Sequence, residues 1–555
     1  MAERITVAEL VGRALAALGA GHCFGVVGSG NFEVTNALVA AGVPYTAMRH
    51  EGGAATAADA YARMSGRVGL VSVHQGCGLT NAATGIGEAA KSRTPMIVLA
   101  AETARAAVNS NFAMDQTAFA ESVQATSARV NSAASALADT VRAFRTAQNE
   151  RRTVVLNLPL DVQREFVDAS VLDGLAPLPA PEPVRPSDAS VAALADLIEA
   201  AKRPVIIAGR GARHAGAELR TLGESAGALL ATSAVARGLF NGDAFDLGIS
   251  GGFSSPTTGE LIQNADLILG FGCALNMWTM RHGNLIGEQA KVVQVDLEDA
   301  ALGRNRSIDL GVLGDAASTA LDVTRELEQR GGSAERYRTA DVRERIAATA
   351  SWLNTPYESL STDTVIDPRD LTKALDARIP AERTVSIDSG NFMGYPSQFL
   401  TVPDEYGFAF TQAFQSIGLG LATAIGAARA QPDRLPVLGT GDGGFLMAIA
   451  EFETVCRLGL PMLIIVYNDA AYGAEVHHFG AANPDADMST VTFPETDIAA
   501  IARGYGADAA TVRTEADLEP VFTWLDERPD HPFVVDAKIA SDGGSWWLQE
   551  AFKGH

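Results

Sequence analysis

Two aspartates, Asp442 and Asp469, stand 27 residues apart, each at the end of an apolar run: Asp442 follows "LPVLGTG" and Asp469 follows "PMLIIVYN". In open parallel α/β sheets, ligands bind beyond the carboxyl ends of the strands. A strand–helix–strand unit returns the chain in the same direction, so both strand tips reach one edge of the sheet. Two carboxylates there repel unless a cation lies between them. Oxygen ligands suit a hard ion, and Mg²⁺ takes one or two carboxylates together with phosphate oxygens. Gly441, Gly443 and Gly444 let the backbone approach a ligand closely and present N–H groups at a helix start. The spacing predicts a diphosphate–Mg²⁺ site. Asp-Gly is also common turn chemistry, and Asp469 could simply cap a loop.

The elements that would position this pair recur along the chain. "VGLVSVHQG" and "PMIVLAAE" read as strands in a first block, with "EGGAATAADAYARMSG" as an Ala-rich helix ending at Gly66. "RPVIIAGRG", "ADLILGFG" and "AKVVQVDLE" are strands of a second block, and "RTVSIDSGN", "LPVLGTGD" and "PMLIIVYND" of a third. Continuous apolar strands alternating with helices imply parallel sheets covered on both faces. The proline-rich stretch "LDGLAPLPAPEPVRPSD" reads as a linker, and "NTPYESLSTDTVIDPRD" as a second boundary. The expectation is α/β, with three doubly wound parallel-sheet domains over residues 1–171, 189–350 and 368–555.

Bulk properties agree with a globular protein. At 555 residues the chain exceeds one core, which stops growing near about 250–300 residues. A net charge of −23 argues against nucleic acid or an anionic membrane surface as partner. Cys23, Cys77, Cys273 and Cys456 form no C-x-x-C pair, which points to a reducing compartment rather than disulfides or zinc. The N-terminal stretch lacks the apolar core of a signal peptide, and no stretch has the length of a membrane span, so a cytoplasmic protein is expected.

Residues 439–473 resemble the cofactor motif of thiamine diphosphate enzymes, a GDG followed at a set distance by an Asn pair. The resemblance implies Mg²⁺ on Asp442, Asp469 and the Ala471 carbonyl, with Tyr472 and Gly473 alongside. Here the pair reads "ND", so Asp469 brings an extra negative charge. "MRHEGGAATAADAYARMSG" is similar to the family segment whose glutamate, here Glu51, activates the cofactor. That chemistry needs a carboxyl group on the pyrimidine ring nitrogen with a raised pKa. Glu51 alone could equally just start a helix. "AFQSIGLGLATAIGAARAQPD" resembles the segment that supports the bent cofactor, with Ile417 as the wedge beside Gln415 and Ser416. "DSGNF" matches where relatives offer backbone to the diphosphate, here Gly390, Asn391 and Phe392. The order of these marks resembles the acetolactate synthase, pyruvate oxidase, pyruvate decarboxylase and benzoylformate decarboxylase superfamily over nearly the whole chain. That resemblance implies pyrimidine-binding, central and diphosphate-binding domains. It also implies a homodimer or homotetramer in which Glu51 meets the diphosphate domain of a neighbouring subunit.

Four residues bear on the reaction. His74 in "VSVHQGCGLTN" aligns with a proton-relaying histidine of benzoylformate decarboxylase, a task that suits histidine at neutral pH. Ser29 stands near the serine that contacts substrate carboxylate in that enzyme. Glu475 stands where pyruvate decarboxylases carry an acidic proton shuttle, and Gln116 resembles the active-site glutamine of acetolactate synthases. Each has a bland alternative as a turn, core or helix-start residue. Acetolactate synthases carry "GxRFDDR" where this chain has "GCALNMWTMRHG", which argues against FAD. "GRGARHAG" lacks G-x-G-x-x-G spacing, so the central domain reads as a degenerate dinucleotide fold. Trp546 and Trp547 could form a lid or pack on the surface. The expected activity is decarboxylation of a 2-oxo acid, carboligation, or both. Alternatives are a non-oxidative decarboxylase of the benzoylformate type and a relative of 2-hydroxyacyl-CoA lyase or oxalyl-CoA decarboxylase. From another class, an NAD-dependent dehydrogenase is disfavoured by the glycine spacing.

Overall fold

The computed structural model describes residues 3–332, 335–483 and 485–543. Every strand read from the sequence forms, and the strands assemble into three six-stranded sheets whose ladders are all parallel. Strands such as Met96–Glu102 and Leu463–Asn468 are buried along their whole length. Their apolar runs therefore do not alternate, because helices cover both faces.

The N-terminal sheet runs, in spatial order, Tyr45–Ala47, Cys23–Gly25, Gly69–Val73, Met96–Glu102, Thr153–Pro159 and Thr126–Arg129. The C-terminal sheet runs Phe408–Phe410, Arg383–Ile387, Leu435–Gly441, Leu463–Asn468, Phe533–Lys538 and Asp508–Val512. Taken in chain order within each domain, the two sequences of strands are the same. The central sheet differs: Asp246–Ile249, Leu229–Thr232, Pro204–Ala208, Leu267–Phe271, Lys291–Asp296 and Leu310–Leu313. That is the order found in dinucleotide-binding domains. A small antiparallel pair, Arg4–Thr6 with Phe166–Asp168, closes the N-terminal domain and has no clear mark in the sequence. Among the described residues, no helix is long and apolar enough to cross a membrane.

The N- and C-terminal domains share one core. Helix Glu51–Ser65 is capped by the His50 side chain, which accepts from Gly52 N, and it stops at Gly66, whose φ of 71° suits glycine. Its alanine-rich face lies against the equally small-sided helix Gly420–Ala430, and one apolar cluster runs from Ala54 and Ala58 through Leu421 and Ile425 to Phe445 and Phe452. The approach is close enough that a Cβ on Gly426 would lie 2.1 Å from the Ala57 carbonyl oxygen. Gly426→Ala must push the helices apart and is expected to cost about 1–3 kcal/mol, read as a lowered urea midpoint. An unchanged midpoint would contradict this packing.

Candidate active site

In the C-terminal sheet Gly441 pairs with Tyr467, so the two strands end level at one edge. Asp442 opens the helix Asp442–Met447 and is 7% exposed, and Asp469 directly follows the neighbouring strand. The two carboxyl groups lie close enough for the charge of one to act directly on the other. Burial pushes the Asp442 carboxyl up to about 6. Burial and the charge of Asp442 push Asp469 up to about 7.

The turn after Asp469 is fixed by Ala470, whose φ is 54°, and by pairing with residues 491–493. Phe493 N donates to the Ala470 carbonyl at 2.8 Å, and Glu475 N donates to the Tyr472 carbonyl at 3.1 Å. Among the described residues no donor reaches the carbonyl between them, that of Ala471. Space around the pair is reserved for backbone. A Cβ on Gly473 would lie 2.3 Å from Asp469 Oδ2, and one on Gly443 would lie 2.8 Å from the Tyr472 ring.

A cavity of about 1070 Å³ collects these groups. Gly441, Asp442, Gly443, Gly444, Asp469, Ala471, Tyr472, Gly473 and Glu475 line it, as do Gly390, Asn391, Phe392, Gln415 and Ile417. Phe392 is held by stacking on Tyr467, with centroids 5.5 Å apart. Ser416 sits on the same turn as Ile417 without lining the cavity; its carbonyl accepts from the Gln412 amide at 3.1 Å.

Glu51, Ser29, His74 and Gln116 are not among the lining residues. They form a second group on the N-terminal domain. Glu51 is the first residue of its helix and is 9% exposed, and its Oε2 accepts from the Asn81 amide at 3.0 Å. His74 Nε2 lies 3.4 Å from Ser29 Oγ, and its Nδ1 lies 3.0 Å from the Gln75 carbonyl. Gln116 is fully engaged within the domain: Oε1 accepts from Gly76 N at 3.1 Å, and Nε2 donates to Ala101 O at 3.1 Å and Asn157 Oδ1 at 2.8 Å. Buried to 1% exposure, it holds the Gly76 turn beside His74 rather than facing open space.

Several supporting groups were not singled out from the sequence. Asp388, at the tip of its strand, accepts from Ser389 N at 2.7 Å and Gly418 N at 3.0 Å, and burial pushes its carboxyl up to about 6. The same strand-tip logic that found Asp442 would have found it. Glu451 accepts from Arg49 N and from His50 N at 2.9 Å, which locks the start of the Glu51 helix to the C-terminal domain. The cavity also extends into the central domain, to Arg210 and Arg213. Burial lowers these to about 9 and about 10, and among the described residues neither forms an ion pair.

Comparison with known proteins places this geometry. The family model described as the N-terminal TPP binding domain of thiamine pyrophosphate enzymes matches residues 5–141. The central-domain model matches residues 191–323, and the C-terminal TPP binding domain model matches residues 388–537. A sulfoacetaldehyde acetyltransferase of Alcaligenes xylosoxydans xylosoxydans is 26% identical, covering 93% of this chain and 90% of the relative. An acetolactate synthase large subunit of Parasynechococcus marenigrum is 29% identical, over 86% of this chain and 77% of the relative. A Pseudomonas aeruginosa protein named "Probable 2-ketoarginine decarboxylase AruI" is 29% identical, over 93% and 90%. Three family domains in chain order, on the three sheets described above, establish that this chain belongs to the thiamine pyrophosphate-dependent enzymes, which act on carbon–carbon bonds.

Proposed function

We propose that this chain is a magnesium-dependent enzyme that decarboxylates a 2-oxo acid and delivers the remaining carbonyl carbon to a proton or to a second carbonyl compound. The observation that carries this reading is the buried Asp442–Asp469 pair beside a free Ala471 carbonyl. Two adjacent buried carboxyl groups that resist ionisation need a proton or a cation between them. Two carboxylates and one carbonyl leave room for the waters and phosphate oxygens that Mg²⁺ prefers. Among the described residues no cluster of three or more His, Cys, Asp or Glu competes as a metal site. The residues therefore fit the ion, with Asp442, Asp469 and the Ala471 carbonyl as its ligands. Backbone N–H groups at the start of helix Asp442–Met447 and around Gly390 would receive the diphosphate.

When bound, thiamine diphosphate supplies a carbanion that attacks a carbonyl and then accepts its electrons. The side chains orient and move protons around that chemistry. With Glu51 Oε2 engaged by Asn81, Oε1 would be the oxygen left to hold or give up a proton toward a ring nitrogen of the bound cofactor. His74 donates from Nδ1 to the Gln75 carbonyl, which leaves Nε2 as the proton acceptor facing Ser29. Ser29 would orient the substrate carboxylate, Glu475 would carry protons from the opposite wall, and Gln116 positions the His74 loop. Because Glu51 does not line the cavity of its own chain, we assign it to the cavity of a second copy, in a homodimer or homotetramer. Exposed Phe414, Met447 and Phe479 on the C-terminal domain, and Phe32 and Phe112 on the N-terminal domain, are apolar surface that such an assembly would cover.

A second reading is favoured by Arg210 and Arg213. Among the described residues these guanidinium groups have no carboxylate partner and donate instead to the Ser92, Arg63 and Val235 carbonyls. In a cavity continuous with Asp442 they would suit the phosphates of a CoA thioester, as in 2-hydroxyacyl-CoA lyases. Incubation with thiamine diphosphate, Mg²⁺ and parallel panels of 2-oxo acids and acyl-CoA esters, with products identified by mass spectrometry, separates the two.

Two further outcomes test the site. Glu51→Gln is expected to lower kcat by at least about a hundredfold while thiamine diphosphate still binds; near-normal turnover removes Glu51 from its role. The second concerns pH. Asp442 and Asp469 ionise at about 6 and about 7, against 3.8 when unfolded. The folded chain thus holds more protons than the unfolded chain between those values. This contribution to stability is complete below about pH 4 and is lost as pH rises through about 7. In chelator, the melting temperature of the wild type is expected to fall over that range, and Asp469→Asn is expected to flatten the fall. Parallel profiles for the two proteins would contradict the assignment.

A further inference from the structure

The turn that carries Ile417 is gripped from both sides. It joins strand Phe408–Phe410 to helix Gly420–Ala430 and includes Gln415, a non-glycine residue with φ of 59°, and Gly418, with φ of 80°. A left-handed non-glycine residue is held only where its surroundings over-determine it. On the C-terminal side, Asp388 accepts from Gly418 N at 3.0 Å. The other grip comes from the N-terminal domain. Glu88, on helix Ala83–Lys91, is 0% exposed; its Oε1 accepts from Ala413 N at 2.9 Å and its Oε2 from Phe414 N at 2.6 Å.

Arg63 keeps Glu88 charged. It donates to Glu88 Oε1 at 2.8 Å, to Asp59 Oδ1 at 2.8 Å and to the Phe410 carbonyl at 3.0 Å, where the strand gives way to the turn. Burial alone would raise the Glu88 carboxyl, but Arg63 and the two backbone donors outweigh it and hold the group below its ordinary value. Gly87 keeps the approach open, since a Cβ there would lie 2.8 Å from the Phe414 ring. Nothing in the proton chemistry above uses Glu88, and its shape answers a narrower need: both carboxylate oxygens are matched to two consecutive N–H groups.

We propose that Glu88 is a positioning residue, which fixes the Ile417 turn through charge-assisted bonds to Ala413 N and Phe414 N and thereby sets the shape of the cofactor cavity. The proposal rests on the reading of Ile417 as the cofactor's support. It implies that one N-terminal domain serves two cavities: Glu88 shapes that of its own chain, and Glu51 completes that of its neighbour.

The test compares Glu88→Gln with Asp59→Asn in the full chain. Asp59 belongs to the same buried network through Arg63 but does not touch the turn. A glutamine presents an N–H where one backbone donor needs an acceptor. Glu88→Gln is therefore expected to weaken thiamine diphosphate binding, measured by calorimetry with saturating Mg²⁺, by about tenfold to a hundredfold. Asp59→Asn is expected to stay within about threefold of wild type. Equal losses in the two variants would make Glu88 only the counter-charge of Arg63 and overturn the proposal. Should Glu88→Gln fail to fold, hydrogen exchange on the wild-type apoprotein decides: the amides of Ala413 and Phe414 are expected to be as protected as those of the neighbouring strand, and fast exchange overturns the grip. A wild type that binds no thiamine diphosphate but protects these amides would defeat the cofactor reading and leave the grip standing.

Discussion

Like charges cannot sit together away from water without a counter-charge, and the tips of two adjacent strands in this chain impose that situation on Asp442 and Asp469. The strand register sets them at one sheet edge, and the two consecutive helices between them, Asp442–Met447 and Ile449–Arg457, bring the chain back parallel. Burial then makes each carboxyl a poor anion, and the charge of Asp442 makes Asp469 a poorer one still. A divalent cation removes the conflict. The glycines around the pair, the unengaged Ala471 carbonyl and the open helix start would complement an ion that arrives with a diphosphate, as proposed above.

The rest of the fold serves that edge of the C-terminal sheet. Small residues let helix Glu51–Ser65 lie directly on Gly420–Ala430, so the two outer domains share a core. Polar ties cross the same boundary: Glu451 to the start of the Glu51 helix, and Glu88 to the Ile417 turn. Glu51 therefore stands on an element anchored to the diphosphate domain of the same chain, although it does not line that domain's cavity.

Much of this was legible in the sequence because it depends on local pattern. Three-residue edge strands such as Tyr45–Ala47 and Phe408–Phe410 are too short to leave a pattern. Continuous apolar runs gave the long central strands, such as Met96–Glu102 and Leu463–Asn468, since parallel strands covered on both faces have no polar side to show. The strand-tip aspartates were visible for the same reason. What stayed hidden depends on partners far away in the chain. Glu88 sits in an Ala-rich helix and reads as a surface charge, because its ligands lie 325 and 326 residues downstream. Gln116 reads as an active-site amide until Asn157 and Gly76 are seen to occupy it. Arg210 and Arg213 read as part of a failed glycine motif, although their burial in the cavity without a direct salt bridge among the described residues is the more informative property. Trp546 and Trp547 lie outside the described residues.

The central claim is that a cation bound by the strand-tip carboxylates is a condition of cofactor binding. Calorimetric titration of the wild-type chain with thiamine diphosphate, once in excess Mg²⁺ and once in excess chelator, tests it most directly. Saturable binding with Mg²⁺ and no detectable heat of binding in chelator is the predicted result. Equal affinity under both conditions would contradict it.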